Sequence, residues 1–318
     1  MSSPLPYAVF PPLVPAKGTI GIVAPSRWPR KDMLEVTVER FEARGYDVVV
    51  HDQCFMQFGT MAGPEAARAE AFNDMFADRT IDAVFCARGG SGAMMLLERL
   101  DYELIRANPK PVIGSSDVTV LLQAITKHTG MVTFHGPMAY YMLPEHFESY
   151  TEEDLFYMIA GDRIERRLRF PMVEVERPGV AEGRLVGGNL TMLESLVGTP
   201  YDWSGEGAVL FIEDVDEALY SIERTMIHLR MAGKFEGVRA VLVGEMIGVP
   251  EERAEDMQPG DAPYARSLKE IMLRHLPPEI PLGFNYPCGH GRYLTTFPVG
   301  ACVRVTVTDD VCDMVVRP

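Results

Sequence analysis

The chain has 318 residues, 47% of them hydrophobic, with 30 Lys plus Arg against 45 Asp plus Glu and a net charge of −15. That length favours two domains, and that apolar fraction excludes a disordered chain. The acidic balance argues against nucleic acid or an anionic membrane as partner.

The first half alternates. GTIGIVAPS (18–26) is an apolar run ending in small residues, and KDMLEVTVERFEARG (31–45) has helical spacing closed by Gly45. YDVVVHD (46–52) predicts a strand, 65–78 a helix, TIDAVFCARGGSG (80–92) a strand running into glycines, and 93–101 a helix. KPVIGSSD then predicts a short buried strand, followed by a helix in VTVLLQAITKH. Strand–helix alternation with buried strands predicts a doubly wound, mostly parallel sheet, flavodoxin- or Rossmann-like. Ligands bind such sheets beyond the carboxyl ends of the strands. The glycines at 89, 90 and 92 and the serines at 115 and 116 both fall there. After a helix at 151–162, residues 163–183 lose helical periodicity and gather charges and prolines. A linker is expected in that stretch, dividing an N-terminal domain (1–165) from a C-terminal, β-rich α/β domain (166–318). In the second half, 207–214 and 238–246 predict strands, 217–233 and 264–276 helices, 250–263 a polar loop, and the tail strands and turns.

Nothing approaches the roughly 18 uninterrupted apolar residues of a membrane span. The proline-broken N-terminus does not read as a signal peptide. Five scattered cysteines without a CxxC pair predict reduced thiols in a cytoplasmic protein, and none has zinc-ligand spacing.

Four stretches could carry chemistry. In Gly114-Ser115-Ser116-Asp117, one reading makes Ser116 a helix cap with Asp117 favouring the positive helix end. The other makes a serine the nucleophile on a tight strand-to-helix turn, near backbone N–H groups able to hold an oxyanion. The G-x-S-x-G signature is not met. ARGGSG is not a dinucleotide fingerprint; it is either a turn needing positive φ or a backbone that approaches a substrate closely. In FIEDVDE, Glu213 and Asp214 point to opposite strand faces. One is expected to face a site and the other to cap the following helix; a metal reading of Asp214, Asp216 and Glu217 lacks a known loop pattern. Among seven histidines, His228 and His275 lie in helices as surface or packing residues, His135 ends a strand, and His290 sits between glycines in CGHGR. As a base, His290 needs a carboxylate to set its tautomer, and Glu213 would serve.

Taken in order, IGIVAPS, RAEAFNDMFADRTIDAVFCARGGSGA, VIGSSDVTVLLQAI, FHGPM, GRLVGGNLTMLESLVGTPY, LFIEDVDEALYSIERTMIHLRMAG, AVLVGEM and GHGRYLTTFPVG resemble the LD-carboxypeptidase family of serine peptidases. The family includes muramoyl-tetrapeptide carboxypeptidases and microcin C self-immunity peptidases. The resemblance implies a Ser116–Glu213–His290 triad, oxyanion donors at the N–H groups of Gly90 and Asp117, and a site between two domains. It also implies a homodimer, no metal or other cofactor, and removal of a terminal D-alanine from muropeptide tetrapeptides in cell-wall recycling. Ser115 and Ser91 stand where the family usually has aromatic residues. One alternative is cleavage of an acyl-nucleotide analogue, for which Trp203 and the 250–263 loop are the candidate base platforms. The other is a non-catalytic small-molecule binder. Arg88 and Arg292 are the candidates for holding a substrate's terminal carboxylate.

Overall fold

The computed structural model describes residues 8–250 and 264–317. The first half runs β1 (Thr19–Val23), α1 (Lys31–Ala43), β2 (Asp47–Val50), α2 (Glu65–Ala77), β3 (Ala83–Cys86), α3 (Tyr102–Ala107), β4 (Val112–Gly114), α4 (Thr119–Thr129), β5 (Thr133–His135) and α5 (Ser149–Ala160). The second half runs β6 (Arg167–Arg169), β7 (Glu174–Arg177), β8 (Gly179–Asn189), α6 (Leu190–Ser195), β9 (Ala208–Val215), α7 (Leu219–Met231), β10 (Ala240–Ile247), α8 (Leu268–His275), β11 (Leu282–Tyr286), β12 (Phe297–Val299), β13 (Cys302–Val307) and β14 (Cys312–Val316).

Two sheets result. The six-stranded sheet has the order β12-β5-β4-β3-β1-β2. Strands β1 to β5 pair in parallel, and β12 closes the far edge antiparallel to β5. This 2-1-3-4-5 succession is the flavodoxin-like winding, so the expected doubly wound sheet is present. β3 and β4 are buried throughout, which is why they read as unbroken apolar runs. The second sheet has eight strands, β6-β14-β13-β8-β9-β10-β11-β7, parallel from β8 to β11 and antiparallel outside them. β12 comes from the second half of the chain yet joins the first sheet. The halves are therefore stitched together, and one apolar cluster, from Phe72 and Val84 through Leu121 to Leu193, Ile212 and Ile271, runs between the two sheets.

Three expectations need correction. Residues 93–101 are not one helix: a 3-10 turn covers Ala93–Leu96, and α3 begins after Asp101, whose side chain accepts a hydrogen bond from Leu104 N–H. An N-cap at Asp101 ends the earlier turn. Residues 163–183 are not an unstructured linker, because β6 and β7 form the two outer edges of the eight-stranded sheet. Their charges are those of edge strands, which avoid further pairing that way. The final predicted helix starts later than expected, at Leu268, after a capping box between Ser267 and Glu270. The predicted 250–263 loop lies, apart from Pro250, outside the described residues. No described helix is long and apolar enough to cross a membrane.

Candidate active site

Ser116 lies just past β4, in a 3-10 turn, Ser116–Val118, that leads straight into α4. Its φ is 58°, in the left-handed region that L-residues with a Cβ avoid. An N-cap serine would have extended backbone and would accept a bond from an early helix N–H. Ser116 has neither: no side-chain cap is made at the start of this turn or of α4. The capping reading therefore fails. Asp117 is turned away from the helix end as well. Its Oδ2 accepts hydrogen bonds from Ser26 Oγ at 2.6 Å and from Ala93 N–H at 2.9 Å. That carboxylate ties the loops after β1 and β3 to the serine turn, all at the carboxyl edge of the sheet.

The glycines of ARGGSG approach this turn directly. A Cβ on Gly89 would stand 3.0 Å from Ser116 Cβ and 3.1 Å from its Oγ. Gly90 has φ 111°, and a Cβ there would meet Arg27 Cδ at 2.6 Å. Gly90 and Gly92 (φ 108°) take the positive φ of the turn reading, while Gly89 lies against Ser116.

On the second sheet, β9 delivers Glu213 with no exposed surface. Its Oε2 lies 2.7 Å from His290 Nδ1. His290 sits in the loop between β11 and β12 and keeps 24% of its side chain exposed. Burial alone would push its imidazole down, but the Glu213 hydrogen bond and the charges of Glu213, Asp214 and Asp216 raise it above its ordinary value. With Nδ1–H given to the carboxylate, Nε2 carries the free lone pair.

Asp214 points the other way, as strand alternation requires. It caps α6, not the following α7 as expected: it accepts bonds from Thr191 N–H at 3.0 Å, Thr191 Oγ1 at 2.8 Å and the Asn189 amide at 2.8 Å. Among the described residues, no group of three or more His, Cys, Asp or Glu could hold a metal ion.

The two halves meet through α4 and the His290 loop. Gln123 donates to Gly187 O at 2.7 Å, and Asn189 N–H donates to Thr119 Oγ1 at 3.2 Å. Asn189 is in register with Glu213 on the neighbouring strand. From the first half, His135 reaches Cys288 O at 2.7 Å, and Tyr141 donates to Gly289 O at 3.1 Å. Ser116 and His290 thus belong to one junction, although no hydrogen bond joins them.

Other candidates resolve differently. Arg292 is an exposed partner of Glu148. Arg88 is half-buried and donates to Trp28 O at 2.9 Å; burial and its neighbours Arg27 and Arg30 lower its pKa. Trp203 is packed at 6% exposure with its indole N–H on Leu193 O, so its ring is not an open platform. His228 pairs with Glu194 at the surface, and His275 packs against Glu223. Sequence reasoning missed Ser26, Arg27, Asn189, Tyr141 and Glu245. Glu245 lies against Gly291, and its carboxylate is raised by burial and by nearby Glu213. A Cβ on Gly291 would fall 2.0 Å from Glu245 Oε2. The signal available was position: Ser26, Arg27, Asn189 and Glu245 stand at or near strand ends or beside a glycine, while Tyr141, six residues past β5, carried none.

Two family models match, described as the LD-carboxypeptidase N-terminal domain over residues 20–136 and the LD-carboxypeptidase C-terminal domain over residues 182–305. A probable murein peptide carboxypeptidase of Bacillus subtilis is 35% identical over 303 residues, covering 89% of this chain and 87% of that protein. A murein tetrapeptide carboxypeptidase of Pseudomonas aeruginosa is 30% identical over 295 residues, covering 90% and 92%. Among solved structures, MccF in complex with glutamyl sulfamoyl guanosine superposes with a TM-score of 0.86 at 24% identity, covering 98% of this chain and 99% of that one.

Proposed function

This chain belongs to the LD-carboxypeptidase family of serine peptidases, and on that premise we propose that it releases the terminal D-alanine of muropeptide tetrapeptides by a Ser116–His290–Glu213 mechanism. The observation that carries the reading is the strained Ser116 (φ 58°) facing a side-chain-free glycine backbone, at a junction that also holds the Glu213–His290 pair at 2.7 Å. A serine kept in a costly conformation without a cap bond has another use.

In this mechanism His290 Nε2 takes the proton from Ser116 Oγ as the oxygen attacks the carbonyl before the D-residue. Glu213 holds Nδ1–H and stabilises the imidazolium. The Gly90 and Asp117 N–H groups receive the oxyanion. His290 then protonates the departing D-alanine amine, and water, activated by the same imidazole, releases the shortened peptide from Ser116. The apo hydrogen bond between serine and imidazole need not be formed, since such contacts often tighten only with substrate bound. We assign the activity to cytoplasmic wall recycling by a homodimer that needs no cofactor.

The test is D-alanine release from a muramoyl tetrapeptide ending in an L-centre–D-Ala bond, read by mass spectrometry beside Ser116→Ala. Tripeptide and free D-alanine from the wild type alone support the reading. Cleavage of an acyl-sulfamoyl nucleoside, with the tetrapeptide untouched, would move the protein to the self-immunity branch. Inertness towards both would favour a binding protein.

A further inference from the structure

We infer that His135 and Tyr141, contributed by the first half of the chain, position His290 of the second half by holding the two carbonyls that precede it. The inference rests on the serine-peptidase reading above. A base on one sheet and a nucleophile on the other need a ruler between them, and these two side chains span that gap.

His135 closes β5 and lies in register with Gly114, two residues before Ser116. The Gly136 N–H also bonds Gly114 O at 3.0 Å. From this anchor the His135 ring reaches across to Cys288 O at 2.7 Å. Tyr141 rides on a short 3-10 helix, Ala139–Met142, whose first N–H bonds Ala87 O at 3.1 Å, just before Gly89 and Gly90. Its hydroxyl donates to Gly289 O at 3.1 Å. One clamp is thus referenced to the serine strand and the other to the glycine loop. Both side chains are buried, at 1% and 5% exposure.

From the opposite side, Glu213 holds the same loop through the His290 ring, and the Glu245 carboxylate leaves no room for a side chain at Gly291. Residues 288–291 are therefore gripped from both halves, and His290 has little freedom to drift from Ser116.

The chemistry of His135 agrees. Burial pushes its imidazole down to about 4, so it is neutral near pH 7. The bond to a carbonyl requires the Nε2–H tautomer, which leaves the buried Nδ1 without a partner. An apolar side chain would spare that nitrogen but leave the buried Cys288 carbonyl without its donor. The stranded nitrogen marks a residue kept for its one directed donor.

The experiment compares His135→Leu, His135→Gln and Tyr141→Phe with the wild type. D-alanine release gives kcat and KM, thermal melting gives the folded state, and NMR follows the His290 Nδ1–H that bonds Glu213. Removing either donor is expected to lower kcat about 10- to 100-fold, the scale of a catalytic group misplaced by about 1 Å. KM should change little and the proteins should remain folded. Glutamine, whose amide reaches the Nε2 position, should restore most of the rate, which a purely packing role would not predict. Unchanged kcat in folded His135→Leu and Tyr141→Phe would overturn the inference. So would a folded His135→Gln no better than His135→Leu. If the wild type releases no D-alanine, the peptidase reading fails separately. The clamp is then judged by the His290 resonance: a shift or broadening in His135→Leu sustains it, and an unchanged signal refutes it.

Discussion

Replacing Ser116 by glycine should make the protein more stable while removing its activity. The reason is the φ of 58° at Ser116. A residue with a Cβ in the left-handed region costs roughly 1–2 kcal/mol. Glycine removes that term, but it loosens the unfolded chain by about 0.4–1 kcal/mol. The lost hydroxyl makes no cap bond at either helix start, so its removal adds little. The net expectation is a gain of about 0.5–1 kcal/mol relative to Ser116→Ala, which keeps the Cβ and hence the strain. Urea unfolding of the two variants, with equal slopes, measures the difference directly. Both variants should lose D-alanine release, leaving at most about 10³-fold over the uncatalysed rate from the oxyanion site and binding. A glycine variant less stable than the alanine variant would refute the claim that strain is stored at this turn.

Three further outcomes follow from the site. Glu213→Gln should lower kcat by about 10⁴-fold, because glutamine no longer fixes the Nδ1–H tautomer. The acidic limb of its kcat/KM profile should move to lower pH: His290 is raised above 6.5 with Glu213 present, activity needs the neutral imidazole, and the wild-type rate must fall as pH drops through that raised value. The raised imidazole of His290 adds stability that is fully present below about pH 6.5 and is lost as pH rises through its folded value, which melting at pH 6 and pH 9 can compare in wild type and Glu213→Gln. Asp214→Ala should instead cost about 2–4 kcal/mol of stability, by leaving the buried Asn189 amide and the half-buried Thr191 donors without their acceptor; urea titration checks this, and kcat should fall far less than in Glu213→Gln. Gly90→Ala should lower kcat by about 10²-fold or more with KM little changed, because a residue with a Cβ is strained at φ 111° and would shift the proposed oxyanion donor as the backbone relaxes.

The parts that were legible in the sequence are those governed by short-range pattern. β1, β3 and β4 announce themselves as buried apolar runs, and glycines and serines at strand ends mark the carboxyl edge of a parallel sheet. The alternation of Glu213 and Asp214 follows from strand periodicity alone, although not the helix that Asp214 caps. That required knowing that β8 and β9 are neighbours, so that α6 starts beside Asp214. The return of β12 to the first sheet was equally hidden, because Phe297–Val299 is three residues long and its partner lies about 160 positions earlier. Edge strands β6 and β7 read as a linker in the sequence because a half-paired strand carries the charges of a loop. Beyond their position near strand ends, Arg27, Ser26 and Glu245 give no signal of their own, since each acquires meaning only from a glycine or carboxylate distant in sequence.

The same logic explains why a serine turn without the G-x-S-x-G signature can still present a nucleophile. That signature supplies small residues so that a sharp turn does not clash with its surroundings. Here the clearance is provided by the neighbouring loop: Gly89 lies against Ser116, and any side chain there would meet Ser116 Oγ at about contact distance. On the other flank the carboxylate of Asp117 grips Ser26 and Ala93, so the turn, the β1 loop and the glycine loop are tied together. Strain at Ser116 is held in place by those bonds and not by its own side chain, which leaves the hydroxyl free. A local motif is therefore the wrong unit of recognition for this turn. Its determinants are Gly89 and Ser26, both remote in sequence, and the proposed nucleophile is recognised by the loops that clear space around it.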